Sequence, residues 1–449
     1  MKIPDTPPTV SSLMKSVTPE RLMQLMLTRP VSEAQRAYLH WDELRYRTAP
    51  AGLSVDEWWL MLKMGRLSVA RGLPFLDKQG HAFSYVLAEP VLKSLRFVDR
   101  HAGGAVWIES PVVNAAERDR YLVSSLMEEA ITSSQLEGAS TSRRVAEDML
   151  RSARKPADAA ERMIFNNFAA MQHIRDIANE PLSPQMLLNL HAMLTQGTLE
   201  NPADEGRFRR DDAVKVMDNR NGNILHTPPA AAELPARLER LCEFANGTED
   251  DEPSVHPVIR AILLHFMLAY DHPFADGNGR AARALFYWSM LRQGYWLMEF
   301  VSISSVLRKA PAQYARAYLH TETDASDVTY FMLHQLSVIE QSLVALKTYV
   351  QQRGQEARQV EQTLHALDAN VNLNARQLAL LAGALKQRSN RYTVESHKRS
   401  HNVAYATARA DLLALTELGL LEQRKRGRAW EFLAPTDLAE RMAAATHGE

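Results

Sequence analysis

Cysteine is nearly absent from this chain, with Cys242 the sole example in 449 residues. An intramolecular disulfide and a Cys-x-x-Cys metal site are both excluded, and with them a disulfide-stapled secreted scaffold. An excess of charge of one sign is missing too. Lys and Arg total 52 against 53 Asp and Glu, a net charge of -1, so no whole-chain field points to nucleic acid or a membrane. Any such preference has to be local. There is no long hydrophobic run either: the most apolar stretch, Val258 to Tyr270, is interrupted by Arg260 and His265 and has the length of a buried core helix. The opening Met1-Lys2-Ile3-Pro4-Asp5 has no basic n-region followed by an apolar run, so no membrane association and a cytoplasmic location are expected.

What is present is a hydrophobic share of 46% and a charged share of 23%, the proportions of a globular chain too long for one ordinary core. Strand-like alternation is scarce and helical spacing of apolar residues dominates, which predicts a mainly α fold. Residues 1–105 read as a helical amino-terminal region, its patterns broken by Pro30, Pro50, Gly52, Pro74 and Pro90, with no chemistry visible. Residues 106–346 carry longer helices. Within them, Val214-Lys215-Val216 and Ile224-Leu225-His226 alternate around Asp218-Asn219-Arg220-Asn221-Gly222, and Asn-Gly is a strong turn signal, so a small β-hairpin is expected. Gln351 to Glu356 reads as a linker or helix end, and residues 356–436 form a module of their own.

The informative stretch is His272-Pro273-Phe274-Ala275-Asp276-Gly277-Asn278-Gly279-Arg280-Ala281-Ala282-Arg283. It falls between an apolar helix ending near Tyr270 and another starting near Asn278. Two glycines let the backbone turn tightly and present its amides to an anion. The helix start adds free N–H groups and the positive end of the dipole. Arg280 and Arg283, three apart, can act on one polyphosphate. Asp276 offers an oxygen to a hard divalent ion, and His272 can take a proton near neutral pH. No Gly-Lys-Ser/Thr follows, so this is not a Walker loop, and a helix rather than a strand precedes it, so it is not a dinucleotide fingerprint.

At every defined position the stretch resembles the His-x-Phe-x-Asp/Glu-Gly-Asn-Gly-Arg-x-x-Arg signature of Fic-domain proteins, most of which transfer AMP from ATP to a protein hydroxyl. The resemblance covers roughly residues 110 to 346. It implies a helical Fic core with a β-hairpin flap, ATP as substrate and Mg²⁺ as cofactor. His272 would be the catalytic base and Asp276 the metal ligand. Gly277, Asn278 and Gly279 would form the anion hole, followed by Arg280, Ala281, Ala282 and Arg283 at the nucleotide. Phe274 would anchor the loop in the core. Glu205 to Arg209 and Val214 to Val216 resemble the lead-in to the flap. Asn223, Ile224, Leu225 and His226, closed by Pro228-Pro229, resemble the flap that lies over the nucleotide and pairs with a target's backbone. Tyr314 matches an aromatic near the adenine, although Gln313 and Thr321 stand where some relatives have a second aromatic and an asparagine.

Ser133-Ser134-Gln135-Leu136-Glu137-Gly138 resembles the family's inhibitory signature on an amino-terminal helix, expected at about 123–138. Ser133, Glu137 and Gly138 carry the match. A Glu137 carboxylate paired with Arg283 would occupy a cation that the γ-phosphate needs. The implied partner is a protein with a Ser, Thr or Tyr hydroxyl; self-modification and a homodimer are candidates. Removal of AMP, or transfer of another phosphate-containing moiety, stays open on the same fold.

Between Lys386 and Arg428 there are ten Lys or Arg against four Asp or Glu. Asn374 can cap a helix through Leu385, and a second helix is expected from Tyr405 to Leu418, ending at Gly419. Two short strands then flank Arg424-Lys425-Arg426-Gly427-Arg428. This order resembles a winged helix-turn-helix, with Tyr405 to Leu412 as its recognition helix. DNA, through residues 386–428, is therefore a candidate partner, and a nucleotide-sensing DNA-binding regulator is the competing expectation; a protein-contact module with a solvated basic face is the other.

Overall fold

The computed structural model describes residues 2–27, 37–103, 115–218, 220–248, 254–371, 373–386, 391–426 and 429–447. Expectations that fell on Pro30, Asn219, 387–390, Gly427 and Arg428 lie outside the described residues. The chain divides into two compact units, one reaching to Leu346 and one running from Lys347. Among the described residues, no helix is long and apolar enough to cross a membrane.

The first unit begins with α1 (Val10–Ser16), α2 (Pro19–Leu27), α3 (Trp41–Leu44) and α4 (Val55–Leu67). Helix α4 starts where Ser54 and Glu57 cap each other's backbone amides reciprocally, the Ser-x-x-Glu pattern that satisfies two orphan donors at once. It buries Trp58, Trp59, Leu60 and Leu62 against Leu13, Leu25 and Leu44. Next comes a hairpin, β1 (Arg71–Leu76) with β2 (Ala82–Tyr85), which corrects the all-helical reading of this region. Pro74 lies within β1, between the paired Gly72 and Leu76 where the register shifts. A proline is tolerated there because the bulge leaves it no ladder bond to make.

This region shares its unit with the helices that follow. Lys63 Nζ on α4 lies 2.6 Å from Oδ1 of Asp324, and Arg66 donates to the Tyr330 hydroxyl at 2.8 Å. These are buried charges that only paired contacts can stabilise.

The remaining helices of the unit are α5 (Glu89–Val98), α6 (Ala115–Leu136), α7 (Arg143–Ser152), α8 (Ala159–Asp176), α9 (Pro184–Thr195), α10 (Leu234–Asn246), α11 (Pro257–Asp271), α12 (Asn278–Arg292), α13 (Ile303–Leu307), α14 (Pro311–Thr323) and the start of α15 (Thr329–Val371). A second hairpin, β3 (Val216–Met217) and β4 (Ile224–His226), pairs Val216 with His226 and Met217 with Ile224, where the Asn-Gly signal predicted one. Helix α11 is buried over nearly its whole circumference, and so is α12. A helix apolar on all sides belongs at the centre of a core, and the loop between these two carries the site.

The second unit contains the end of α15, then α16 (Ala375–Lys386), β5 (Arg391–Tyr392), α17 (Val394–His401), α18 (Tyr405–Glu417), β6 (Glu422–Arg426), β7 (Ala429–Leu433) and α19 (Leu438–His447). Its strands form an antiparallel sheet in the order β5-β7-β6. Asn374 caps α16 by accepting from the amides of Arg376 and Gln377. Leu381, Leu412, Leu415, Phe432 and Met442 close its core, so α19 belongs to this unit although it lies past the expected boundary at 436. Two expectations need correcting. The supposed linker Gln351 to Glu356 is interior to α15, because its glutamines, glutamate and arginine are good helix formers that one glycine does not outweigh. Strand β5 and helix α17 were missed, since the polar Val394–His401 stretch buries only Val394 and His397 and shows little apolar periodicity.

Candidate active site

Helix α11 ends on His272, which adopts the left-handed conformation at φ 47°, ψ 55°. For a residue with a Cβ this costs on the order of 1–2 kcal/mol, and such strain collects where geometry serves function. It turns the half-buried ring back along the helix, so that Nδ1 lies 3.0 Å from the Ala269 carbonyl. A carbonyl only accepts, so Nδ1 carries the proton and Nε2 keeps its lone pair. Burial holds His272 below the ordinary imidazole value, against the pull of the Ala269 carbonyl and Glu137. The ring therefore stands neutral, with a free acceptor.

The loop after it is fixed from within. Asn278 accepts from the Phe274 amide and donates to the Phe274 carbonyl, each at 2.9 Å. Phe274 is fully buried, as expected of an anchor, and its ring stacks on His191 with centroids 3.8 Å apart. His191 donates from Nε2 to the Asp276 carbonyl at 2.9 Å and accepts the Gly206 amide at Nδ1. Arg209 donates to the His272 carbonyl at 3.0 Å and also grips the Pro229 carbonyl. His191 was not singled out in the sequence, and Arg209 only as part of the flap's lead-in. Their partners are main-chain oxygens, which leave no pattern to read.

Gly277 is the N-cap of α12 at φ 83°, with no side chain to cap the first turn. The amides of that turn therefore have no intrahelical acceptor and face outward. Gly277 has the positive φ that favours glycine, and a Cβ there would meet Thr195 Cγ2 at 2.8 Å; one on Gly279 would displace the Glu137 carboxylate.

Arg280 is buried and donates to the Leu194 carbonyl at 2.8 Å. Its Nε and second terminal nitrogen have no hydrogen-bond partner among the described residues, and Asp276 Oδ2 stands off at 3.8 Å. Burial pulls its pKa below the usual guanidinium value. A buried cation with two unused donors thus lies beside the open amides of the helix start. Ala281 and Ala282 are buried, and the Ala281 amide already bonds to the Gly277 carbonyl. Asp276 is exposed, with Oδ1 accepting from the Gly277 amide.

Arg283 is buried, and its Nε and one terminal nitrogen are engaged. It donates to Ser133 Oγ at 2.9 Å, to the Ser133 carbonyl at 3.0 Å and to Glu137 Oε1 at 2.8 Å. Burial alone would lower its pKa; the Glu137 carboxylate overrides that and keeps it charged. Burial likewise would raise the Glu137 carboxyl, and Arg283 holds it below the usual range. Glu137 sits one residue past α6, where the Gly138 and Ala139 amides bond back to Gln135 and Ser134 and Gly138 takes φ 97°, a Schellman-type cap. Two turns earlier on the same face, buried Glu129 accepts from the Tyr287 hydroxyl at 2.9 Å and the Ser302 hydroxyl at 2.7 Å. Thus Glu129, Ser133 and Glu137, spaced by four, meet Tyr287 and Arg283 on α12, also spaced by four.

Tyr314, on α14, is half-buried and hydrogen-bonds His265 at 2.7 Å. Burial raises its pKa against the opposing charge of Arg283. On the flap, Asn223 and Ile224 are exposed and Leu225 is half-buried. His226 turns inward, onto Tyr270 and Glu322.

A strained histidine, the open amides of a helix start and two buried guanidiniums thus meet at the junction of two core helices. Residues 181–290 match the sequence model of the Fic/DOC family, and the chain carries a Fic domain. Over 95 residues, 21% of this chain, it is 36% identical to the protein adenylyltransferase Fic of Drosophila mojavensis. It is 35% identical over the same length to that of Drosophila melanogaster. The match spans 17% of the length of each. A Fic family protein from Desulfovibrio desulfuricans superposes with a TM-score of 0.53 over 80% of this chain and 98% of its own, at 17% identity, which shows the fold.

Proposed function

We propose that the chain is an autoinhibited protein adenylyltransferase that transfers AMP from ATP to a Ser, Thr or Tyr hydroxyl of a protein and releases pyrophosphate. The observation that carries this is Arg280, buried with two unpaired donors beside the uncapped start of α12. The residues fit a triphosphate there. Nε2 of His272 takes the proton as the hydroxyl oxygen attacks the α-phosphorus. The bond to the bridging oxygen of pyrophosphate then breaks, and that oxygen leaves with the electron pair. Catalysis of this kind is mostly positioning and charge neutralisation. Asp276 is the residue that would hold Mg²⁺, which when bound neutralises phosphate charge. Among the described residues no group of three His, Cys, Asp or Glu gathers to hold a metal, so the ion would draw its other ligands from phosphate oxygens and water, as Mg²⁺ commonly does.

Glu137 supplies the restraint. Its carboxylate stands over the first turn of α12 and on Arg283 at once, the two places a γ-phosphate would use. Incubating the full chain with a host lysate, Mg²⁺ and ATP labelled at the α-phosphate should place label on protein, and ATP labelled at the γ-phosphate should not. Label from the γ-position would instead mark a kinase-like transfer and end this reading.

The second unit supports a further reading as a winged helix that grips duplex DNA. Arg391, Arg399 and Arg424 are 61%, 79% and 71% exposed along their side chains, and Arg409 and Tyr405 are exposed on α18. Arg424→Ala with Lys425→Ala should weaken duplex binding equally across sequences and flatten its salt dependence. No salt-dependent duplex affinity at low ionic strength would assign this unit to protein contacts.

A further inference from the structure

The flap hairpin is too short to place itself. Its strands pair at two positions, and an isolated hairpin is marginal in water. Within it, Met217 is 54% exposed and Ile224 45% exposed. Its inner end is fastened instead. His226, buried, has Nε2 2.7 Å from the Tyr270 carbonyl and Nδ1 2.9 Å from the Glu322 carboxylate. A carbonyl can only accept, so Nε2 donates to Tyr270, while Nδ1 pairs with the Glu322 carboxyl group. Its ring also leans on that of Tyr270, with centroids 4.7 Å apart.

Tyr270 lies two residues before His272. Three residues after His226, the Pro229 carbonyl is gripped by Arg209, which also holds the His272 carbonyl. Glu322 comes from α14, the helix that carries Tyr314. The returning limb of the flap is thus tied to the end of the helix that presents the base, and to the helix beside the nucleotide site.

We propose that His226 and Glu322 form a latch that sets the position of the flap relative to His272. They are positioning residues and touch neither the phosphates nor the acceptor hydroxyl. The claim rests on the AMP-transfer reading. An amide can replace the carboxyl group: in Glu322→Gln the side-chain N–H donates to Nδ1 of a neutral ring whose Nε2–H still reaches Tyr270.

The test uses the full chain carrying Glu137→Gly. Expected are a drop in kcat/KM for the acceptor protein of about tenfold or more for Glu322→Ala and for His226→Ala, and recovery to within about threefold for Glu322→Gln. The double alanine variant should be no worse than His226→Ala alone, because both remove one device. Direct ATP binding should stay within about twofold throughout. Full transfer by Glu322→Ala, or a loss matched by equal loss of ATP affinity, would overturn the latch. A Glu137→Gly parent inactive toward AMP would defeat the AMP-transfer reading and the positioning claim with it.

Discussion

A Glu137→Gly chain should take up label from α-labelled ATP between about tenfold and about a thousandfold faster than wild type. The carboxylate holds Arg283 at 2.8 Å and lies against the position a Gly279 Cβ would take, so it opposes a triphosphate twice, by occupying a cation and by its own charge. Removing it leaves Arg283 held by Ser133 alone, with hydrogen-bonding capacity to spare for a phosphate. The range corresponds to about 1.4–4 kcal/mol, below the loss on breaking a wholly buried pair because Glu137 is 25% exposed. Comparison of label uptake by wild type, the single variant and the variant that also carries His272→Ala decides the matter. Equal uptake by Glu137→Gly and wild type would remove Glu137 as a restraint and leave the Fic domain standing.

His272→Ala, placed in the Glu137→Gly chain, should lower transfer by on the order of 10²–10⁴-fold while ATP binding stays intact. In the proposed reaction the ring would act on the acceptor hydroxyl, and α12 would hold the phosphates. Undiminished transfer would take His272 out of the mechanism. The same chain with His272 in place fixes the sign of the pH dependence. A base works unprotonated, so the rate falls as pH drops through its pKa. Burial sets that pKa below the ordinary imidazole value, and the acid limb of the rate profile should therefore lie below it. A limb above the ordinary value would show that some other group limits the reaction.

The twelve residues from His272 to Arg283 were legible because the chemistry is contiguous: base, carboxylate, amide nest and cations fall on one helix end, one turn and one helix start. The partnership of Glu137 with Arg283 spans 146 positions. The residues themselves read as an ordinary helix end before a glycine, and only the family resemblance pointed further. Arg209, His191 and Glu322 were not read as parts of the site for a different reason. Each acts by holding a carbonyl oxygen or another side chain across the fold, and such bonds impose no spacing on the sequence. The flap was visible through Asn221-Gly222, a turn signal independent of its surroundings. The β1–β2 hairpin was hidden by Pro74, which breaks the alternation that would have marked a strand. In the second unit the core helices showed through their leucines, whereas α17, short and mostly solvated, carried no apolar stripe to read.

The spacing of Glu129, Ser133 and Glu137 against Tyr287 and Arg283 also governs which movements of α6 could matter. The two helices meet with rising numbers on one opposite falling numbers on the other. A slide of α6 along its axis by one turn, about 5.4 Å, would carry Glu129 from Tyr287 toward Arg283. The arginine would exchange one glutamate for another and remain neutralised. Sliding therefore does not release it. Only a separation of α6 from α12, or an unwinding of the turn after Leu136, leaves Arg283 without a carboxylate. A slide also strips Glu129 of the hydroxyls of Tyr287 and Ser302, so a buried polar group would lose its donors on the way. Arg283 is thus guarded against movement along the helix axis, and is exposed by separation of the helices or by unwinding of the turn that carries Glu137.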